Sequence, residues 1–216
     1  MAILSEKVRE GVEKEFERLE QKVQLIVFTQ EMECTYCSEN RMLAQEVASL
    51  GDKISLTVYD FSKNREQAQQ YHVDKIPATV VMGEKDYGIK FYGFPGGYEF
   101  TSLTEAIHLV SSRDSRLKSQ SRELLKKLTH PIHIQTFITL TCPYCPPAVK
   151  LSHQFALESD LVCADMVESA EFPQLAHKYN VFSVPKVVIN EETEFEGALG
   201  EAEFVAKVWE AETRKG

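Results

Sequence analysis

The sequence Thr141-Cys142-Pro143-Tyr144-Cys145 holds two cysteines separated by two residues, and it determines how the rest of the chain is interpreted. It lies between an apolar, β-branched run at 132–140 and an amphipathic segment that begins at Ala148, so the local order is strand, turn and helix. Two cysteines at a helix start can close a small disulfide ring, and the free amide groups there favour a thiolate on the first sulfur. The stretch therefore predicts a redox-active turn.

The same pattern occurs earlier in the chain, which indicates an internal duplication. Cys34 lies 108 residues before Cys142 (142 − 34), and the offset falls to 104 between Gly93 and Gly197 (197 − 93), so the second copy lacks four residues in its hairpin. Identical pairs at the longer offset include Cys34/Cys142, Cys37/Cys145, Tyr71/Tyr179, Val73/Val181 and Pro77/Pro185. The sequence predicts two copies of one domain, residues 1–116 and 117–216, joined through a polar, serine-rich stretch at 111–121 with few apolar anchors.

Apolar periodicity predicts the same α/β element order in each copy: helix, strand, cysteine turn, helix, strand, helix, two strands and a closing helix. In the first copy the expected helices cover Ser5 to about Gln21, 38–50, 62–71 and 103–110, and the expected strands cover 23–28, 54–59, 78–82 and 89–92. In the second copy a helix is expected from about Ser119 to Leu128 and a strand at 132–137.

The overall charge limits the classes of partner. A net charge of −9 argues against nucleic acid and anionic membranes, because both would repel the chain. The first residues lack the apolar core of a secretory signal, and no apolar run approaches the roughly 18 residues of a membrane span. We therefore expect a cytoplasmic protein, in which cysteines are more often catalytic or metal-binding than structural.

Zinc binding is the main alternative use for two such cysteine pairs. Structural zinc sites usually separate their pairs by roughly 15–20 residues, whereas 104 residues lie between Cys37 and Cys142 (142 − 37 − 1). Each pair also has a proline 43 residues beyond its first cysteine (77 − 34 and 185 − 142), which zinc does not need. The spacing favours redox chemistry, and no metal is predicted.

Together these features resemble the thioredoxin fold, present twice. The features are the cysteine turns between strand and helix and the Ile76-Pro77 and Val184-Pro185 steps before a strand. Cys142-Pro143-Tyr144-Cys145 is similar to the glutaredoxin active site, and the tandem arrangement resembles the protein disulfide oxidoreductases, which are glutaredoxin-like and protein disulfide isomerase-like proteins of thermophilic archaea and bacteria. The resemblance implies an α/β fold with two tandem thioredoxin-fold units, each a central mixed four-stranded sheet flanked by helices.

The resemblance also implies roles for individual residues. Pro77 and Pro185 are expected to follow cis peptide bonds and to pack beside the sulfurs, with the backbone of Ile76 and Val184 pairing with an extended substrate peptide. Because the first sulfur of each pair faces the helix amides and solvent, Cys34 and Cys142 are expected to attack, and Cys37 and Cys145 to resolve the mixed disulfide.

The residues around the two cysteine pairs are not equivalent. Glu33 precedes Cys34 and is expected to disfavour its thiolate, whereas Lys186 follows Pro185 and is expected to favour a thiolate at Cys142; the alternative is that both side chains point away into water. We therefore hypothesise that Cys142 belongs to the more oxidising pair. Tyr36 and Tyr144, with Phe94-Pro95 and Phe182, are expected either to line an apolar groove for polypeptide or to pack within the loops.

Other polar and sulfur-containing residues receive structural interpretations. Cys163 is expected to be a buried small apolar residue of a strand, and Asp60 and Glu168 to cap strand ends or face solvent rather than move protons. The six histidines show no metal-ligand or triad spacing and are assigned no chemistry.

The predicted function is protein thiol–disulfide exchange through mixed disulfides, as reduction, oxidation or isomerisation, with the Cys34–Cys37 and Cys142–Cys145 pairs as the sole redox groups and no other cofactor. A thioredoxin-reductase-like flavoprotein is the expected electron donor, and a monomer or weak homo-oligomer the expected state. Glutathione specificity is not expected, because Gly96-Gly97 lies in the copy without the glutaredoxin-like motif. Two alternatives remain open: an electron-transfer module that reduces a peroxidase, and a peptide-binding chaperone with dispensable thiols.

Overall fold

The structure is a computed structural model that describes residues 2–214, and its elements follow the predicted order twice. The first unit contains α1 (Glu6–Phe16), β1 (Val23–Thr29), α2 (Cys37–Ser49), β2 (Ile54–Asp60), α3 (Arg65–Gln70), β3 (Ala78–Met82), β4 (Asp86–Tyr92) and α4 (Glu99–Ser112). The second unit contains α5 (Ser119–Leu125), β5 (Ile132–Ile138), α6 (Cys145–Glu158), β6 (Val162–Glu168), α7 (Pro173–Lys178), β7 (Lys186–Ile189), β8 (Thr193–Glu196) and α8 (Glu201–Thr213).

Each unit contributes four strands to a mixed sheet, as predicted. The strands join into one eight-stranded sheet with the order β2-β1-β3-β4-β6-β5-β7-β8. The junction is a parallel pairing of Ile89–Tyr92 in β4 with Ala164–Val167 in β6. Pairing satisfies backbone groups that would otherwise be exposed at two sheet edges. Since β3 is antiparallel to both β1 and β4, and β6 is parallel to both β4 and β5, strands β1 and β5 run in the same direction.

The first hairpin is four residues longer than the second, and the extra residues lie in its strands. β4 has seven residues and is covered by β6, whereas β8 has four residues and forms an outer edge of the sheet. A short edge strand offers little backbone for unwanted pairing with another chain. The length difference therefore matches the different positions of β4 and β8 in the sheet.

The core lies on both faces of the sheet. One large apolar cluster packs helices α1, α2, α4, α6 and α8 of both units against one face, and a smaller cluster under α3 and α7 covers the other. None of the helices within residues 2–214 combines the length and the apolar character needed to cross a bilayer.

The connection between the units is more firmly anchored than the sequence indicated. Ser115 and Leu117 are buried, and Gln154 Nε2 donates to the Ser115 carbonyl at 2.6 Å. Few apolar residues were visible there because the anchoring is mainly polar. The boundary placed near Arg116 falls in this segment between α4 and α5.

Two helix limits differ from the expected ones. The first helix ends at Phe16 rather than near Gln21, and α4 begins at Glu99 rather than Leu103. The helix after the second cysteine turn begins at Cys145, so Pro146 and Pro147 lie in its first turn, where the amides have no intrahelical partners and proline is tolerated.

Candidate redox sites

The second cysteine pair lies at the start of α6. Cys142 is in the turn after β5, Tyr144 is the N-cap residue and Cys145 is the first helical residue. Both cysteines are free thiols, with Cys142 9% exposed and Cys145 fully buried. Cys142 is thus less open to solvent than the sequence indicated, because the loop that ends in Pro185 packs against its sulfur.

The Val184-Pro185 peptide bond is cis and lies beside this sulfur. The Cys142 thiol donates to the carbonyl oxygen of Val184, with 3.6 Å between sulfur and oxygen. Pro185 itself is buried, and Val184 is half-buried. The chain places the first sulfur against the backbone of the residue before the proline, as the resemblance implied.

The first cysteine pair occupies the corresponding position in the first unit. Cys34 and Cys37 form a disulfide, and Cys37 is the first residue of α2. Cys34 is half-buried and Cys37 is buried. The Ile76-Pro77 bond is also cis. Strands β1 and β5 run in the same direction, and each is followed by a cysteine turn. Both turns therefore lie at the same end of the sheet, where β1 and β5 end.

The resolving thiol of the second pair is difficult to ionise. Burial raises the pKa of Cys145, and the hydrogen bond with Cys142 and the charges of Cys142 and Glu99 raise it further. A thiol must lose its proton before it can attack a disulfide. The site therefore needs a nearby group that accepts the proton.

Glu99, which the sequence analysis missed, is the carboxyl group whose charge acts on the Cys145 thiol. It is the first residue of α4 in the other unit and is fully buried; burial raises the pKa of its carboxyl group to about 7. Ser102 Oγ donates to Glu99 Oε2 at 2.6 Å, while Oε1 has no partner among the described residues. Glu203 is the residue that matches Glu99 in the second unit, at the offset of 104. It is exposed, so comparing the two copies gave no indication that Glu99 has a role.

A direct contact between the units positions Glu99 near the second pair. The Tyr98 amide donates to the Leu140 carbonyl at 3.1 Å, two residues before Cys142. Gly97 has φ 56 and lies against the same carbonyl, so that a Cβ atom there would be 2.3 Å from the oxygen. Only glycine allows the chain this approach.

The two residues predicted to tune the sulfurs have different surroundings. Glu33 is exposed and adopts φ 59 next to Cys34. Lys186 is buried, with its ammonium 3.0 Å from a Glu194 carboxylate oxygen, and it donates to the Asn180 carbonyl at 3.4 Å. A carboxylate beside Lys186 offsets its charge, and the effect of both residues on the sulfurs stays a prediction.

Large apolar side chains are exposed around the second pair. Tyr144 is 71% exposed and Phe182, two residues before Val184, is 90% exposed, while Tyr98 of the first unit is 52% exposed. Around the first pair Met32 is 75% exposed and Tyr36 is 41% exposed, and Asp74 occupies the position of Phe182 (182 − 108). The second site thus has more exposed aromatic side chains than the first.

The remaining candidates have structural surroundings. Cys163 is half-buried rather than buried, and desolvation of its thiol raises the pKa to about 11, so the thiol stays protonated at neutral pH. Asp60 caps the turn at Ser62, whose hydroxyl and amide it binds, and these hydrogen bonds lower its pKa to about 2. Glu168, which was expected to cap or face solvent, is buried and accepts the Glu171 amide at 2.8 Å.

One histidine pairs with a buried acid at the junction of the units. His133 Nε2 lies 2.6 Å from Asp165 Oδ2, and Asp165 is the cross-strand partner of the buried Lys90. In residues 2–214 no group of three or more histidine, cysteine, aspartate or glutamate side chains could hold a metal ion.

Comparison with proteins of known structure supports the fold. The family model of the thioredoxin domain matches residues 132–210. A protein disulfide oxidoreductase from Aeropyrum pernix has a TM-score of 0.92 and 29% identity, covering 97% of this chain and 94% of its own. The NTD_N/C domain of alkylhydroperoxide reductase AhpF from Enterococcus faecalis has a TM-score of 0.88 and 28% identity, covering 95% and 99%. The chain has the thioredoxin fold, repeated in tandem.

Curated relatives extend this similarity to longer proteins. A protein named NADH dehydrogenase from Bacillus subtilis is 29% identical over 77% of this chain. An alkyl hydroperoxide reductase component from Pseudomonas aeruginosa is 28% identical over 77% of the chain. In both cases the aligned region is 30% of the relative, so the chain spans about a third of the length of these proteins.

Proposed function

We propose that this chain is a protein thiol–disulfide oxidoreductase that works through mixed disulfides at two sites. One observation carries the proposal: the Cys142 sulfur lies beside the carbonyl of Val184 at a cis-proline, with Cys145 buried at the helix start behind it. The similarity over nearly the whole chain to a protein disulfide oxidoreductase supports it.

Reduction of a substrate disulfide begins at Cys142. Its thiolate, stabilised by the N-terminus of α6, attacks one substrate sulfur; the other leaves as a thiolate and takes a proton from solvent. Cys145 then loses its proton and attacks the Cys142 sulfur of the mixed disulfide. The second substrate sulfur is released, a Cys142–Cys145 disulfide forms, and two electrons have passed to the substrate. The reverse sequence oxidises a dithiol.

Glu99 accepts the proton of Cys145 in this scheme. Because burial raises its pKa to about 7, its ionised and protonated forms are both populated near neutral pH. A base whose pKa lies near the working pH transfers protons efficiently in both directions. The second unit thus uses an acid supplied by the first.

Substrate binding is assigned to backbone and aromatic groups. The backbone at Val184 and Ile76 pairs with an extended peptide, since a cis-proline leaves an open strand edge beside each pair of sulfurs. Tyr144 and Phe182 supply apolar contacts at the second site, and Tyr36 does so at the first. Unfolded or extended polypeptide is therefore the proposed substrate class.

The chemistry requires the four cysteine sulfurs and no further cofactor. Electrons would come from a protein donor of the thioredoxin-reductase-like flavoprotein class, passed by thiol–disulfide exchange. The proposed compartment is the cytoplasm, where such a donor keeps thiols reduced.

A specific observation favours a second candidate. The similarity to the AhpF domain and to the alkyl hydroperoxide reductase component fits a module that passes electrons to a peroxidase. In that case the disulfide substrate would be a single peroxidase rather than many polypeptides.

The experiment that tests the proposal is insulin reduction with dithiothreitol, followed in the wild type, a Cys34→Ala/Cys37→Ala variant and a Cys142→Ala/Cys145→Ala variant. We expect the wild type to reduce insulin and the Cys142→Ala/Cys145→Ala variant to lose most of this activity. A peroxidase module would instead reduce a purified peroxiredoxin rapidly and insulin poorly. Refolding of client proteins by a variant that lacks all four cysteines would support the chaperone alternative.

A further inference from the structure

A polar cavity of about 470 Å³ lies between the two units, apart from both cysteine pairs. Its walls come from the end of α1, from α4, from the connecting segment and from α6. Ser102, Ala106, His153 and Gln154 are among the residues that line it. The cavity opens to solvent, so it is a route from the surface towards the interior.

The inner wall of the cavity reaches the acid beside the second pair. Ser102 lines the cavity, is buried, and donates its hydroxyl hydrogen to Glu99 Oε2 at 2.6 Å. Glu99 itself is fully buried and does not line the cavity. One hydroxyl group therefore separates the carboxylate from the cavity.

The cavity is large and polar enough to hold water. Its volume of about 470 Å³ compares with about 30 Å³ for one water molecule, and charged and polar side chains of both units line it. The buried His153 is part of the wall; burial lowers its pKa to about 3, so the ring is neutral at working pH.

We infer that this cavity, with Ser102 at its inner end, carries protons between Glu99 and solvent during turnover of the Cys142–Cys145 pair. The inference rests on the proposed function. When Cys145 gives its proton to Glu99, the protonated carboxyl group passes a proton to Ser102 Oγ, and Ser102 releases its own hydroxyl proton to cavity water. One proton leaves for each disulfide formed, and the path reverses when the disulfide is reduced.

Charged groups of both signs surround the path. Cys145, at the start of α6, is affected by the charge of Glu99, and the cavity is lined by the acids Glu15, Glu20, Glu105 and Asp114 and by the basic residues Arg18, His108, Arg116 and Lys150. Lys150 is 2.8 Å from Glu105, and Arg122 is 2.6 Å from Asp114. Opposite charges are thus partly paired, and the cavity does not present a single sign of charge to a passing proton.

The test uses variants at three positions of the full chain. Ser102→Ala removes the relay hydroxyl, Ser102→Thr keeps it, and Ala106→Leu fills the cavity while leaving the Ser102–Glu99 contact in place; Ala106 is buried and lines the cavity. Ala106→Val replaces Ala106→Leu should the latter not fold. Ser152→Ala is the matched control, because Ser152 is equally buried on α6 but contacts Thr136 at 2.9 Å.

Two readouts separate a proton relay from a structural effect. The first is the rate at which Cys145 releases the substrate thiol from a preformed mixed disulfide on Cys142, measured between pH 6 and 9. The second is the rate of alkylation of Cys142, which does not involve the proton path. We expect Ser102→Ala and Ala106→Leu to slow release by about 10-fold at unchanged alkylation, and Ser102→Thr and Ser152→Ala to match the wild type.

The outcomes are distinguishable from failure of the proposed function. Release at the wild-type rate in Ser102→Ala or in the cavity-filling variant overturns the inference, provided that the wild type performs exchange. Absence of exchange in the wild type overturns the proposed function instead. ¹³C titration of the Glu99 carboxyl group adds a readout that needs no activity: Ala106→Leu should slow its protonation exchange without changing its titration midpoint.

Discussion

The Cys142 sulfur lies 3.6 Å from the carbonyl oxygen of Val184, so the first sulfur of the second pair and the backbone assigned to substrate binding meet at one point. A peptide that pairs with the backbone at Val184 is therefore brought to the attacking atom by the same contact that binds it. The backbone of Val184 would thus both bind the peptide and place it next to the attacking sulfur.

The order of the two sulfurs predicts which variant traps a substrate. Cys145→Ala removes the resolving thiol, and we expect it to accumulate a covalent adduct with an unfolded disulfide substrate, because Cys142 can still attack. Cys142→Ala should form none, since Cys145 is fully buried. Non-reducing electrophoresis and mass spectrometry measure the adduct. An adduct on Cys145 in the Cys142→Ala protein would contradict the assignment.

Phe182 predicts a difference between the two sites. Because it is 90% exposed beside the second site, we expect Phe182→Ser to lower kcat/KM for a denatured protein by about 10-fold, as fits the loss of an aromatic contact. Reaction with dithiothreitol, which is too small to reach Phe182, should not change. Asp74→Ser is the matched control at the same position of the first unit; an equal effect there would show that Phe182 has no special role.

Glu99 predicts a pH-dependent gain in stability. Its pKa rises from 4.5 to about 7 on folding, so ionisation in the folded state costs roughly 3 kcal/mol at high pH. The stability that this group contributes is present below pH 4.5 and is lost as the pH rises through about 7. We expect Glu99→Gln to be more stable than the wild type at pH 8 and nearly equal to it at pH 4.

Urea unfolding at the two pH values measures this effect. Glu203→Gln is the control, because Glu203 matches Glu99 at the offset of 104 and is exposed. We expect the control to change the free energy of unfolding equally, and only slightly, at both pH values. A Glu99→Gln protein with the same pH dependence as the wild type would rule out a buried, perturbed carboxyl group.

The burial of Asp165 predicts that the stability of the junction between the units depends on its charge. Burial alone would raise the pKa of Asp165, but the hydrogen bond from His133 and the charges of His133 and Lys90 hold it below its usual value. Its contribution to stability is therefore present above the unfolded pKa and is lost as the pH falls through the folded one. Asp165→Asn removes the negative charge that acts on His133 and on the buried Lys90, and should cost about 3 kcal/mol at pH 7.

The control for this prediction is an exposed charge pair between the same two units. Lys85 and Asp160 form a surface salt bridge, and surface pairs contribute about 0–1 kcal/mol. We therefore expect Asp160→Asn to have little effect in urea unfolding. Similar losses for the two variants would mean that burial at the junction of β4 and β6 is not the cause.

The sequence was sufficient for the parts of the sites that depend on neighbours along the chain. Each cysteine turn is defined by residues close together in sequence, and the repeat located Pro77 and Pro185, so the prediction of the thioredoxin fold is confirmed. Glu99 was missed because it reaches the second pair through contacts between the units, and no periodicity within one unit reports such contacts. The carboxylate beside Lys186 was missed for the same reason: it depends on the register of two strands.

The parallel course of β1 and β5 fixes how far apart the two sites stand. Four strand spacings of about 4.8 Å separate these strands in the sheet, so the two cysteine turns are roughly 19 Å apart at the same end of the sheet. Sulfur atoms exchange only in direct contact, and a continuous hydrogen-bonded sheet provides no hinge that could bring the turns together. The two sites therefore stay at a fixed distance from each other. Electrons move between them only through a second molecule, and a single unfolded client long enough to span both sites can be engaged at two cysteines at once.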